Sequence, residues 1–255
     1  IVMEDHSAIP LREYMKGRKI DLEQVLDIGI QITKILSLIH QQGIIHRNLN
    51  PNTILINPEL QRIYLSDFRW AIDFLSANRE EILSTRPLAN LEYLAPEQTG
   101  KLNSPIDQRS DLYSMGVIFY ELLAAKLPFH ANTVDDLVYA HMTQKPTHLI
   151  DTCPQIPHTI SNIVMKLLEK SVEDRYQSAY GLMRDLEECK KCLKQMDKLI
   201  SLPKENLESS PRLNISKNIV GREKERLVLE DAFNSVCNGQ TKLVLVSGYP
   251  GVGKT

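Results

Sequence analysis

The chain has 255 residues, with 30 Lys plus Arg against 32 Asp plus Glu and a formal charge of −2. Near-balance without a basic run speaks against nucleic acid or an anionic membrane as partner, and no run of 18 apolar residues is present to span a bilayer. At 42% hydrophobic and 24% charged the composition is that of an ordinary globular chain, and four cysteines imply a reducing, cytoplasmic setting rather than a disulfide scaffold.

At about 100–200 residues per domain, this length predicts one large domain or one domain plus part of another. The chain opens at Ile1 without an initiator Met and closes at Gly253-Lys254-Thr255, and both ends read as cut. Asp21 followed by Gln24 is a capping-box start. Leu22, Val25, Leu26, Ile32, Ile35, Leu36 and Ile39 then recur at helical spacing as far as Gly43. Thr53-Ile54-Leu55-Ile56 and Arg62-Ile63-Tyr64-Leu65, on either side of Asn57-Pro58, predict a hairpin. An irregular stretch runs from Asp67 to about Gly100. A helix over about 111–125 is apolar on nearly every side, which makes it central. Three more helices are expected over 133–144, 159–170 and 178–198. Residues 200–218 are polar, with Ser and Pro, and predict a linker.

His46-Arg47-Asn48-Leu49-Asn50-Pro51-Asn52-Thr53 follows the pattern H-R-D-L-x-x-x-N. Behind it, in order, come Asp67-Phe68-Arg69 at D-F-G, Ala95-Pro96-Glu97 at A-P-E, Asp111 with Gly116, Pro128-Phe129 and Asp174-Arg175. Six ordered matches over about 130 residues are far more specific than any one motif. Residues 1–199 therefore resemble the large, C-terminal lobe of a Ser/Thr protein kinase, a mainly α fold with a small β-hairpin.

The resemblance implies ATP and Mg2+ as cofactors and a protein substrate or regulatory partner. It places Asp67 as ligand of the first magnesium and Thr53 where an Asn would hold a second; a neutral hydroxyl is a poorer ligand for a hard cation. Asn48 stands at the catalytic Asp, beside His46 and Arg47 of the same loop. An amide nitrogen donates where a carboxylate accepts, and general-base help is worth ~10²–10⁴-fold. Asn50 replaces the lysine near the transferred phosphate, Asn90 the threonine that braces it, and Arg69 the glycine of D-F-G. A centre changed as a set resembles that of a pseudokinase. The framework positions match: Glu97 and Arg175 as a buried ion pair, and Asp111 holding the His46–Arg47 backbone. Met3 falls at the gatekeeper, Glu4-Asp5-His6 at the adenine-binding hinge, and Leu55 at the apolar floor beneath the ring. Only 45 residues precede His46, so the resemblance leaves the glycine-rich loop and strand lysine of the small lobe without a counterpart.

The tail resembles a bacterial multi-domain architecture in which a kinase domain precedes an AAA-type ATPase. Ile219-Val220-Gly221-Arg222-Glu223 resembles the start of such a domain, an α/β fold, over 219–255. Lys242-Leu243-Val244-Leu245-Val246 reads as its first strand, and Gly248, Gly251, Gly253, Lys254 and Thr255 form a P-loop of the G-x-x-x-x-G-K-T kind. The further domains of the same chain then count among its partners. Cys189 and Cys192 read as two helix-side thiols rather than half a zinc site, because no second pair lies near. His40 reads as a structural histidine at a helix end, and Lys190, Lys191, Lys194 and Lys198 as a solvated face. Ser76, Ser84 and Thr85 read as exposed loop hydroxyls, open to phosphorylation.

Overall fold

The computed structural model describes residues 7–18, 20–73, 90–102, 104 and 106–194. In chain order these form β1 (Ile9–Pro10), α1 (Leu11–Met15), α2 (Leu22–Gln41), β2 (Ile44–Ile45), β3 (Ile54–Asn57), β4 (Arg62–Leu65) and β5 (Ile72–Asp73). Next come α3 (Gln108–Ala124), α4 (Val134–Thr143), α5 (Leu149–Thr152), α6 (His158–Leu167) and α7 (Ala179–Lys194). The fold is mainly helical. The hairpin β3–β4 gains β1 on its outer side, giving the antiparallel order β1-β3-β4, while β2 and β5 form a separate two-stranded ribbon.

Helix α2 begins where its capping box predicts: Asp21 Oδ1 accepts the Gln24 N–H at 2.8 Å, and the Gln24 side chain accepts the Asp21 N–H at 3.3 Å. It packs along α7, and α3 crosses it at Gly29. A Cβ on Gly29 would lie 2.2 Å from the Phe119 ring and 3.4 Å from Leu186, so the missing side chain is what lets the three helices meet. Gly116 does the same between α3 and α6, where a Cβ would sit 2.7 Å from Leu167 Cβ.

Helix α3 is the axis of the core: every residue from Ser110 to Leu122 is buried. The all-round apolar pattern holds, but the helix does not start at Asp111. Asp107 is the cap, accepting the Arg109 N–H at 2.8 Å, and Asp111 lies a turn inside, free to reach another segment. Helix α6 ends at Leu167 rather than at Lys170 as its last turn tightens, the Leu168 N–H reaching Met165 O at 3.1 Å and the Glu169 N–H reaching Lys166 O at 3.4 Å, bonds of the i→i−3 kind. Arg175 Nε donates to Glu169 O at 2.7 Å and Arg175 Nη2 to Lys170 O at 3.0 Å. Helix α7 starts after Ser178, whose hydroxyl accepts the Gly181 N–H at 3.1 Å. Lys190 is not part of a freely solvated face, since its ammonium pairs with Asp27 on α2. Among the described residues no helix is long and apolar enough to cross a membrane, and no group of three or more His, Cys, Asp or Glu could hold a metal ion. Cys189 is buried on α7 with Cys192 one turn on, and neither is in a disulfide.

A polar cluster lies in the core where α3, α4 and the segment after α6 meet. Tyr113 Oη meets His141 Nδ1 at 3.0 Å, and Lys170 Nζ donates to His141 O at 2.8 Å while resting 4.2 Å from the Phe129 ring centre. Burial, helped by the charge of Lys170, pushes the His141 imidazole down to about 3, so the fold holds it neutral.

Candidate active site

Two loops meet at the mouth of the hairpin. The segment from His46 to Thr53 leads into β3, and Ser66 to Arg69 leads out of β4. The Ile54↔Leu65 register of the strands brings them side by side, and Thr53 O locks them by accepting from both Ser66 N (2.9 Å) and Ser66 Oγ (3.0 Å). His46 Nε2 donates to Ser66 O at 2.9 Å, which fixes the proton on Nε2 and leaves Nδ1 to accept the Asn48 N–H at 3.4 Å. The Phe68 ring leans on the imidazole at a centroid distance of 4.8 Å. Arg47, Asp67 and Asn90 all have φ between 61° and 64°, the left-handed region that non-glycine residues avoid. Such strain persists only where the surroundings over-determine it, and Arg47 and Asp67 set it one in each of the two loops.

Asp111 supplies that over-determination for the first loop. Buried in α3, it accepts the Arg47 N–H on Oδ1 at 2.8 Å, and on Oδ2 both the His46 N–H and His40 Nε2 at 2.9 Å. Burial alone would raise its carboxyl, but His40 and His46 outweigh it and hold the group below the usual carboxylate range. His40, in the last turn of α2, thus has its structural role through this carboxylate. Arg47 is buried, its guanidinium held down by desolvation against the pull of Asp111, and its carbonyl accepts Gln98 Nε2 at 2.9 Å. Glu97 and Arg175 form a two-pronged pair at 2.8 Å on each oxygen, with side chains 1% and 0% exposed. Ser110 Oγ adds a third contact to Glu97 at 2.7 Å.

The polar residues facing the mouth bond one another. Asn50 is fully buried: its amide donates to Asn48 O at 2.8 Å and to Asn48 Oδ1 at 3.4 Å, and its oxygen accepts the Asn52 N–H at 2.9 Å. It shapes the loop from inside rather than reaching outward. Thr53 Oγ1 is 3.0 Å from both Asn48 O and Asn50 O and accepts the Asn50 N–H at 3.1 Å. Asn48 Nδ2 points to Asp67 Oδ2 at 3.3 Å. Arg69 grips the same carboxylate, Nε on Oδ1 at 2.5 Å and Nη2 on Oδ2 at 3.0 Å, and keeps the Asp67 carboxyl low. Leu55, half-buried in β3, is paired with Pro10 and Tyr64 on its two sides. Glu4 and His6, with Met3 and Asp5, lie outside the described residues, as do Ser76, Ser84, Thr85 and the whole segment with Gly248, Gly251, Gly253, Lys254 and Thr255.

The protein kinase domain model matches residues 1–190. The chain belongs to the protein kinase domain family. It is 33% identical to a probable serine/threonine-protein kinase of Streptomyces coelicolor over 74% of this chain, and 29% identical to a serine/threonine-protein kinase of Bacillus subtilis over 73%. It is also 30% identical to a hybrid signal transduction histidine kinase of Dictyostelium discoideum over 94% of this chain. The matches cover only 28% of each of the two serine/threonine kinases and 10% of the hybrid histidine kinase, so the chain spans a minor part of these relatives.

Protein kinases use ATP and magnesium, held by the D-F-G Asp and the catalytic-loop Asn. The donor set of this kinase domain does not fit two such ions. Asp67 has the right chemistry, but both its oxygens already face donors, and the Thr53 hydroxyl closes its own loop. Sequence reasoning missed a second, part-buried polar cluster in the kinase domain, at the far end of α3. Glu121 accepts Arg12 Nη1 at 2.6 Å and Tyr93 Oη at 2.5 Å, and Arg12 also reaches the Tyr93 hydroxyl. Burial first, then Glu121, pushes the Tyr93 phenol far up, so it stays a donor. The signal was there: Glu121 is the one acid in the apolar run after Gly116.

Proposed function

We propose that residues 1–199 are the large lobe of a Ser/Thr protein-kinase-like signalling module whose own phosphoryl transfer to protein hydroxyls is weak or absent. The observation that carries this is the Asn48 amide donating to Asp67 across 3.3 Å. The residue at the proton-accepting position turns a hydrogen toward the reaction centre and has no basicity to offer. Residues 200–218 are then a linker, 219–255 the opening of an AAA-type P-loop domain, and the setting cytoplasmic. Partners are protein substrates, or regulatory proteins, and further domains of the same chain.

A second reading, a pseudokinase that regulates or scaffolds a P-loop ATPase, is favoured by one contrast. The matches to the two serine/threonine kinases cover 73–74% of the chain, whereas those to the Dictyostelium hybrid kinase and to a Candida albicans histidine protein kinase cover 94% and 98%. The C-terminal quarter of the chain thus finds its likeness in these large signalling proteins rather than in the two serine/threonine kinases. The test is γ-phosphate transfer from ATP at saturating magnesium, by the chain joined to a kinase small lobe, before and after Asn48→Asp. Background transfer by wild type and a gain of ~10²-fold or more in the variant is expected. Comparable transfer by both overturns the reading.

A further inference from the structure

Two departures from the kinase pattern, one in each of the two loops, converge on one carboxylate. Asp67 Oδ1 receives Arg69 Nε at 2.5 Å, and Oδ2 receives Arg69 Nη2 at 3.0 Å and Asn48 Nδ2 at 3.3 Å. The 3-10 turn Phe68–Trp70 and the left-handed backbone of Asp67 aim the Arg69 side chain back over its neighbour. A planar guanidinium matched to both oxygens is the strong geometry for this pair. We propose that Arg69 is the resident cation of this centre: it occupies the carboxylate at which a divalent ion would bind, so magnesium reaches Asp67 only by displacing it.

The inference rests on the reading of Asp67 as the metal position, and the chemistry comes from charge. A magnesium ion approaching a lone Asp67 meets a net charge of about −1; approaching the Asp67–Arg69 pair it meets about zero and a guanidinium in its path. The Asn48 amide adds a positive dipole end from the other side and competes for Oδ2. The tether is short, two residues, so the guanidinium is never far from the carboxylate, yet Arg69 is 80% exposed and no core packing holds it there. The block is therefore a competition and not a wall: excess metal or a side-chain change lifts it. Asn48→Asp alone restores a proton acceptor but leaves Arg69 in place, so the two substitutions answer to different measurements.

The experiment is paramagnetic broadening by Mn2+ of the Asp67 and Phe68 amide signals in the 15N-labelled chain, for wild type, Arg69→Gly and Arg69→Gln. Half-broadening is expected at about five-fold lower Mn2+ in both variants than in wild type, near the ceiling for an exposed ion pair. Equal midpoints in all three, or no broadening in any, overturn the proposal. A shift in Arg69→Gly but not in Arg69→Gln also overturns it, because backbone freedom rather than the guanidinium would then govern access. Phosphate transfer plays no part in this readout, so its failure is separable from failure of the functional reading.

Discussion

The same site contains two kinds of polar network. One, around Asp111 and around Glu97–Arg175, is buried and joins segments more than 60 residues apart through short, charge-assisted bonds. The other, from Asn48 through Asn50 and Thr53 to Asp67 and Arg69, joins residues within about 20 positions, running from buried Asn50 and Thr53 out to the exposed Arg69 and closing on itself. The first holds the His46–Arg47 turn against α3 and would be needed by any protein of this shape. The second carries the reaction in an active kinase; here Asn48, Asn50 and Thr53 bond within the loop or to Asp67, and Arg69, standing where the pattern has glycine, adds a further internal bond. Fold and chemistry are thus specified by different residues even where they share one loop.

Breaking the first network should cost most. Arg175→Met leaves the Glu97 carboxylate buried without its partner, and the urea midpoint should fall by an amount worth about 3–5 kcal/mol. The double variant Glu97→Leu, Arg175→Met should recover much of that, since it buries no lone charge. Acid is the next lever. His141 is ordinarily half-protonated at 6.5 but only at about 3 in the fold, so the unfolded chain binds the extra proton between those values. The His141 contribution to stability should be full above about pH 6.5 and be lost steadily as pH drops towards 3. His141→Gln should flatten part of that slope in denaturant titrations, while the low-lying Asp111 carboxyl accounts for a share that remains. Smallest is Thr53→Val, which keeps the shape and removes the hydroxyl that closes the second network. A loss of about 1–3 kcal/mol in thermal unfolding is expected, since the buried Asn50 N–H loses its acceptor; a loss as large as that of Arg175→Met would erase the distinction between the networks.

The contrast also explains how much of the molecule is legible in its sequence. The capping box of Asp21 and Gln24, the hairpin around Asn57-Pro58 and the mostly apolar α3 are local patterns; the first two lie in the structure where the sequence puts them, and α3 does so but for its first turn. Strands of two residues such as β1, β2 and β5 carry no periodicity, so nothing in the pattern announces them. Helix α6 stops three residues short of its periodicity, where i→i−3 bonds from Leu168 and Glu169 tighten the last turn, a local event that the apolar spacing does not encode. Glu97 and Arg175 are paired by motif resemblance alone and do meet, whereas the grip of Arg69 on Asp67 depends on a left-handed turn that no motif encodes. The Arg12–Tyr93–Glu121 cluster needs the fold itself, since its members come from three separate segments.

The most direct test of the account is magnesium-dependent transfer of γ-phosphate by the wild-type sequence joined to a small lobe, measured beside its Asp67→Ala variant. A centre bonded to itself predicts that both stay at background and are indistinguishable. Clear transfer by wild type that vanishes in Asp67→Ala would show the carboxylate at work on metal and nucleotide, and would contradict it.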